Sequence, residues 1–237
     1  MGFYYMAQYR SEWKYICTDG QLELVRARLT GILERDSHSG PDGSYTVHSL
    51  YFDDYRDSCA AGNESGDGMR YKYRIRYYGN STGSLHLERK IKRYGLGEKQ
   101  SCPLSLSEYD SLYSGDGSRA FAETDRPVLQ EFSVLMMTRG FLPKAIIDYE
   151  RTAFIEPTTH IRITLDRNIS AAYDCDAFLQ GSYIQFPIQD AHQNILEVKF
   201  DSILPGWLRQ MIESLNLRQT TFSKYYLGRK RLENIIR

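Results

Sequence analysis

Charged and aromatic positions alternate most strictly in Met69 to Gly79, MRYKYRIRYYG. A period of two places Arg70, Lys72, Arg74 and Arg76 on one face and Tyr71, Tyr73, Ile75 and Tyr77 on the other. Alternation over this length, with aromatic and β-branched residues between the charges, predicts a strand rather than a helix. Same-face side chains on a strand stand roughly 7 Å apart. Four cations in such a row repel one another unless something anionic neutralises them. A polyanion with regularly spaced charges is the simplest partner for this ladder.

The same reading runs along the rest of the chain. Residues 1–10 form an aromatic leader without a clear period. Ser11 to Cys17 predicts a short strand, with Glu12, Lys14 and Ile16 opposite Trp13, Tyr15 and Cys17. Thr18 or Asp19 then N-caps a helix reaching about Leu33, with an apolar stripe of Leu22, Val25, Leu29, Ile32 and Leu33. A turn-rich loop, Asp36 to Ser44, leads to a strand over Tyr45 to Tyr55, and Gly62 to Gly68 is a flexible hairpin loop. Leu85 to Arg93 alternates again, with His86, Glu88, Lys90 and Lys92 on one face, and a shorter strand with Lys99 follows. Leu104 to Tyr113 and Arg126 to Arg139 predict helices. Pro143 marks the break into a second β block.

In that block, Lys144 to Ile155 carries Tyr149 and Arg151 on one face, and His160 to Asp166 carries Arg162, Thr164 and Asp166. Ile169 to Asp174, Tyr183 to Ile188 and Asn194 to Phe200 complete the strands, the last with Glu197 and Lys199 together. Helices over Pro205 to Leu215 and Ser223 to Ile235 finish the chain. No linker is long enough to demand separate domains, so one domain over 1–237 is expected.

At least eight strands, most with one apolar and one charged face, predict an α+β fold. The expected form is a closed antiparallel eight-stranded β-barrel with a cationic lumen and helices packed outside. An α+β sheet with one basic face is the alternative. Composition sharpens this picture in one respect: 30 Lys+Arg are balanced by 30 Asp+Glu, so any basic site requires local segregation of charge. The acidic residues are therefore expected on helices, loops and the outside, and general nucleic-acid binding is not suggested. Four scattered cysteines without C-x-x-C spacing argue against a zinc knuckle or a disulfide scaffold. No apolar run is long enough to span a membrane, and the N-terminus lacks the pattern of a secretory signal. A soluble cytoplasmic domain is expected.

The basic set comprises Lys14, Arg70, Lys72, Arg74, Arg76, Lys90, Lys92, Lys99, Arg151, Arg162, Lys199 and Lys224. Arginine forks bind phosphate oxygens bidentately, and lysines add point charge. Taken singly, each reads as a solvated strand face beside a carboxylate. Taken together, Arg74 and Arg76 with Lys90, Arg151 and Arg162 read as a phosphate site. Glu197, on the face of Lys199, suits a divalent metal that also binds phosphates, or a salt bridge to a neighbouring lysine. Glu88 has the same two readings, with the salt bridge favoured. Tyr149 either hydrogen-bonds a phosphate or packs. The chain has no glycine-rich phosphate loop, no G-x-S-x-G elbow and no H-x-x-x-H pair.

The segments E-W-K-Y, S-L-Y-F-D, R-Y-K-Y-R-I-R-Y-Y, L-E-R-K-I-K, D-Y-E-R-T-A-F, I-R-I-T-L-D, I-L-E-V-K-F and F-S-K-Y-Y occur in this order. Together they resemble the vacuolar transporter chaperone (VTC) domain, a branch of the triphosphate tunnel metalloenzymes, over about Gln8 to Ile235. The resemblance implies an eight-stranded tunnel that makes inorganic polyphosphate from ATP, releasing ADP, with Mn²⁺ or Mg²⁺ as the metal. It implies that Lys14, Arg74, Arg76, Lys90, Lys99, Arg151, Arg162 and Lys224 grip phosphates. Tyr149 and Ser223 would add hydrogen bonds, and Glu197 would hold the metal. Lys72 and Lys199, on the same strand faces, complete the substrate-binding set. The expected partners are ATP and polyphosphate or triphosphate. Tunnel triphosphatases among the relatives begin with an E-x-E-x-K motif, where this chain offers only Glu12-x-Lys14. Hydrolysis of triphosphates, or polyphosphate binding without turnover, are the competing functions. The resemblance is to stand-alone members of bacterial type, in which any coupling to a membrane falls to a partner protein.

Overall fold

Alternating segments pair into a sheet because each has one apolar face to bury and one polar face to leave free. The computed structural model describes residues 9–122, 125–201 and 203–236, so most of the aromatic leader lies outside the described residues. The first half contains β1 (Ser11–Thr18), α1 (Asp19–Leu29), β2 (Glu34–Arg35), β3 (Ser44–Asp53), α2 (Ser58–Glu64) and β4 (Met69–Tyr78). It continues with β5 (Leu85–Arg93), β6 (Leu96–Leu104), α3 (Leu106–Tyr113), α4 (Gly117–Ala122) and α5 (Pro127–Arg139). The second half contains β7 (Leu142–Glu156), β8 (Ile161–Ala172), β9 (Phe186–Pro187), β10 (Gln193–Phe200), α6 (Gly206–Glu213), β11 (Arg218–Gln219) and α7 (Lys224–Ile236).

Among the described residues these strands form one antiparallel sheet, ordered β11-β1-β10-β8-β7-β3-β4-β5-β6, with β2 on β7 and β9 on β8. The α+β class holds. The closed eight-stranded barrel does not: the sheet has eleven strands and its ladder is open. The reason lies at the outer edge of β1. Tyr15 and Ile16 pair there with β11, so β6 reaches only the single bridge between Arg10 and Gly97. The sheet still curls far enough for Lys90 on β5 to meet Glu12 on β1 at 2.8 Å.

The outer face carries two apolar cores. One joins Tyr73, Ile75, Phe52 and Leu87 to Leu129 and Phe132 of α5. The other joins Tyr15, Ile163, Leu165, Leu196 and Val198 to α1 and α6 through Leu22, Val25, Leu208 and Ile212. The last helix, α7, departs from the expected outside position. Its Tyr225 stacks on Tyr51 at 4.8 Å, and Gly228 sits against Ile147 and Ala171. Those residues share the face of Arg74 and Arg151, so α7 covers one end of the inner surface.

Several boundaries differ from the sequence reading. The first helix stops at Leu29, because Thr30 turns to extended backbone and Gly31 takes a positive φ. The segment read as a hairpin loop over Gly62 to Gly68 is partly α2, whose first amides are accepted by the carboxylates of Asp53 and Asp54. The short α4 was not expected. Pro143 lies inside β7 opposite Phe52, near the strand start where a missing N–H costs little. Two expected strands merge into β8, which absorbs an irregularity at left-handed Asn168. Of Tyr183 to Ile188, Phe186 and Pro187 pair with β8, and the Ile188 amide donates to the Ile169 carbonyl.

A Cβ at residue 228 would stand 2.3 Å from the buried Ile147 side chain and 3.2 Å from Ala171 Cβ. Gly228→Val is therefore expected to lose roughly 1–3 kcal/mol through overpacking, read by urea denaturation.

Candidate functional site

Seven strands and α7 deliver the basic residues to the inner face. Strand periodicity does most of this work: cross-strand neighbours share a face, so Lys72 stands opposite Lys90 and Lys90 opposite Lys99. Lys14 likewise stands opposite Glu197, and Arg162 opposite Lys199. Lys224 opens α7, with Ser223 just before it accepting the amide of Tyr226. All thirteen residues singled out from the sequence converge on this surface, with Arg162 and Lys99 toward its open side.

Carboxylates interleave with these cations, against the expectation that they lie outside. Glu88 is buried and receives Arg74 at 2.7 Å, Lys99 at 2.9 Å and Arg76 at 3.5 Å. Arg74 also donates to Tyr51 Oη at 2.7 Å; Arg76 donates to Ser49 Oγ at 2.9 Å and Tyr149 Oη at 3.0 Å. Burial would raise the Glu88 carboxyl, but Arg74, Arg76 and Lys99 outweigh it and hold it well below the usual range. For Glu88 the salt-bridge reading is correct in this structure. Tyr149 both packs and accepts from the Arg76 guanidinium, with Arg151 and Lys224 over its ring.

Lys14 lies between two carboxylates, 3.0 Å from Glu12 and 3.3 Å from Glu197, and donates to the Phe222 carbonyl at 2.7 Å. Lys199 completes Glu197 at 2.7 Å. Burial opposes ionisation of Glu197, yet Lys199, Lys14, Lys90 and Lys224 keep its carboxyl well below the ordinary value. In the third group Arg151 grips Asp166 bidentately at 2.7 and 2.8 Å, and Lys224 reaches the same carboxylate at 2.6 Å. Burial raises Asp166, and Arg151 and Lys224 overcome this to hold it at about 2. Arg162 is drawn to the rim by Asp36 and by Tyr45 Oη at 3.1 Å. Lys72 donates to Ser223 Oγ at 2.6 Å and Asn63 Oδ1 at 2.9 Å.

Sequence reasoning missed Glu12, Asp166, Ser49, Tyr51, Asn63 and Asp36 as members of the site. The signal for Glu12 and Asp166 was present, since each alternates in phase with Lys14 or Arg162. Asn63 and Asp36 come from a helix and a loop, where no alternation exists to reveal them.

As to a metal, no group of three or more His, Cys, Asp or Glu among the described residues is gathered into a ligand cluster. Glu197 and Glu12, both held ionised beside Lys14, offer the one or two hard carboxylates that suffice when substrate phosphates supply further oxygens.

The VTC domain family model matches residues 9–233. The chain belongs to the VTC domain family. No curated protein matches it. Among solved structures, a putative adenylyl cyclase from Hippeastrum, described as having a dominant triphosphatase activity, has a TM-score of 0.57 at 13% identity. That match covers 94% of this VTC domain and 95% of the other chain. A protein from Pyrococcus horikoshii OT3 has a TM-score of 0.52 at 13% identity, over 97% and 100%. A putative adenylate cyclase from Bacillus halodurans has 0.51 at 12% identity, over 90% and 95%. These likenesses show a shared fold.

Two outcomes follow from the ion pairs. Glu88→Gln removes the carboxylate from the buried Arg76 and the part-buried Arg74 and is expected to lose about 3 kcal/mol in urea denaturation. Asp166 ionises at about 2 in the folded VTC domain against 3.8 ordinarily, so its pairing stabilises fully above about pH 4. That contribution, roughly 2 kcal/mol, is lost as pH falls from about 4 through about 2. Asp166→Asn is expected to show a correspondingly smaller loss of stability between pH 6 and pH 2.5.

Proposed function

We propose that this VTC domain transfers the γ-phosphate of ATP to a polyphosphate chain held along its basic inner face. The observation that supports this most is the convergence of Arg74, Arg76 and Arg151 with seven lysines on one half-enclosed surface. Phosphoryl transfer needs alignment and charge neutralisation more than a covalent catalyst. The guanidinium forks would orient phosphate oxygens, while Lys14, Lys90, Lys99, Lys199 and Lys224 would neutralise the charge that accumulates as two polyanions approach. Tyr149 and Ser223 would add hydrogen bonds. The terminal phosphate of the acceptor is already an anionic nucleophile, so no general base is required. A Mn²⁺ or Mg²⁺ ion held by Glu197, with Glu12 beside it, would supply Lewis-acid neutralisation of phosphate oxygens.

Each carboxylate on this face holds a cation in place until a phosphate takes over that cation. Arg74, bonded to both Glu88 and Tyr51, would keep its orientation when one partner is exchanged. Among the described residues no helix is long and apolar enough to cross a membrane.

A tunnel triphosphatase is the second reading, favoured by one observation. Glu12, Glu88, Asp166 and Glu197 all face the interior, more carboxylates than the first-strand motif alone suggested.

Purified protein incubated with ATP and Mn²⁺ is expected to release ADP in step with phosphate chains resolved by length on a gel. Arg74→Ala should reduce both by roughly 10²-fold or more, and Glu197→Gln should lower both at saturating ATP. Free phosphate without chains would establish hydrolysis instead. No turnover with tight polyphosphate binding would leave a binding module.

A further inference from the structure

Seven lysines stand on this face, and five of them have a carboxylate within 3.0 Å: Lys14, Lys90, Lys99, Lys199 and Lys224; the other two are Lys92, opposite Arg70 towards the end of the strands, and Lys72, deeper in the face. Lys72 has no carboxylate at ion-pair distance among the described residues. Its ammonium donates only to neutral oxygens, Ser223 Oγ and Asn63 Oδ1. The groups around it come from four other elements. Lys90 stands directly opposite on β5, and Lys14 approaches from β1. Arg70 precedes it on the same face of β4. On α2, Cys59 offers a thiol whose ionisation burial opposes; on α7, the Tyr225 ring lies 5.8 Å away.

Three like charges and partial burial, with no counter-ion, disfavour the protonated amine. A polyanion reaching this position would supply the missing counter-charge and reverse the balance. We propose that Lys72 couples phosphate-chain binding to proton uptake, being partly neutral in the free protein and protonated in the complex. This rests on the reading that the inner face binds phosphate chains. Physically, Lys72 is the subsite where the protein has left the compensating charge to its ligand.

The direction of the pH effect follows. Burial first, then Lys90, Lys14 and Arg70, push Lys72 down to about 7 in the free protein. An adjacent anion raises it, so the extra affinity is complete below about pH 7. It is lost as pH rises from there toward the value in the complex, by up to about tenfold per pH unit. Lys90 is also lowered, chiefly by burial, but its Glu12 partner at 2.8 Å distinguishes it from Lys72.

The test is calorimetric binding of tripolyphosphate between pH 7 and pH 9, comparing the native protein with Lys72→Arg. Arginine keeps the charge and stays protonated throughout, so the variant also corrects for titration of the ligand and of the other lysines. The native affinity is expected to fall at least 10-fold more than that of Lys72→Arg across this range. Equal slopes would overturn the proposal. The native protein alone gives a second readout: binding at pH 8, measured in two buffers of different ionisation enthalpy, should take up a proton. Zero uptake would contradict the proposal even if the variant failed to fold. Absence of tripolyphosphate binding by the native protein at pH 7 would overturn both this inference and the phosphate-site reading beneath it.

Discussion

Everything in this fold turns on cations and carboxylates sharing one partly buried face. Nine basic side chains there pair with five carboxylates, Glu12, Asp36, Glu88, Asp166 and Glu197, and Lys72 adds a further cation without one. That excess reconciles a neutral chain with a strongly positive interior, because the compensating acidic residues lie elsewhere. Ion pairs of this kind add little net stability relative to apolar packing, yet removing one member is costly because the other charge is stranded. The pairs therefore act less as a source of stability than as a mould. They hold guanidinium forks and ammonium groups in fixed positions.

The mould depends in turn on α7. This helix covers one end of the inner face, with Tyr225 on Tyr51 and Gly228 against β7 and β8. Its first turn then brings Ser223 to Lys72 and Lys224 to Asp166. Helix placement and site electrostatics are one problem here: a shift of α7 would remove a hydrogen-bond partner from Lys72 and a cation from Asp166 together. On the opposite side, the sheet is drawn inward by Lys90 on Glu12 and by the Arg10–Gly97 bridge, although the ladder stays open.

The strands bearing the site were legible because a period of two survives into the structure almost unchanged. Met69 to Tyr78 and Leu85 to Arg93 carry their expected faces. The strand-borne candidate residues therefore lie on the surface where alternation places them, whereas Ser223 and Lys224 are brought there by α7. Features governed by contacts distant in sequence were not legible. The α2 helix is capped by Asp53 and Asp54 from the end of a strand, without an apolar period of its own. Barrel closure failed for a similar reason, since nothing in the sequence of β1 reveals that Arg218 and Gln219 will occupy its outer edge. The interior carboxylates were in phase with the lysines, but net neutrality suggested segregation where the fold instead interleaves the charges.

On the proposed function, the interior ion pairs are placeholders for phosphate. A crystal structure of the protein with tripolyphosphate tests it most directly. Phosphate oxygens are expected on Arg74, Arg76 and Arg151, with Glu88 and Asp166 giving up contacts they make in the free protein. Tripolyphosphate seated only on outer surfaces, with the Glu88 and Asp166 pairs intact, would contradict it.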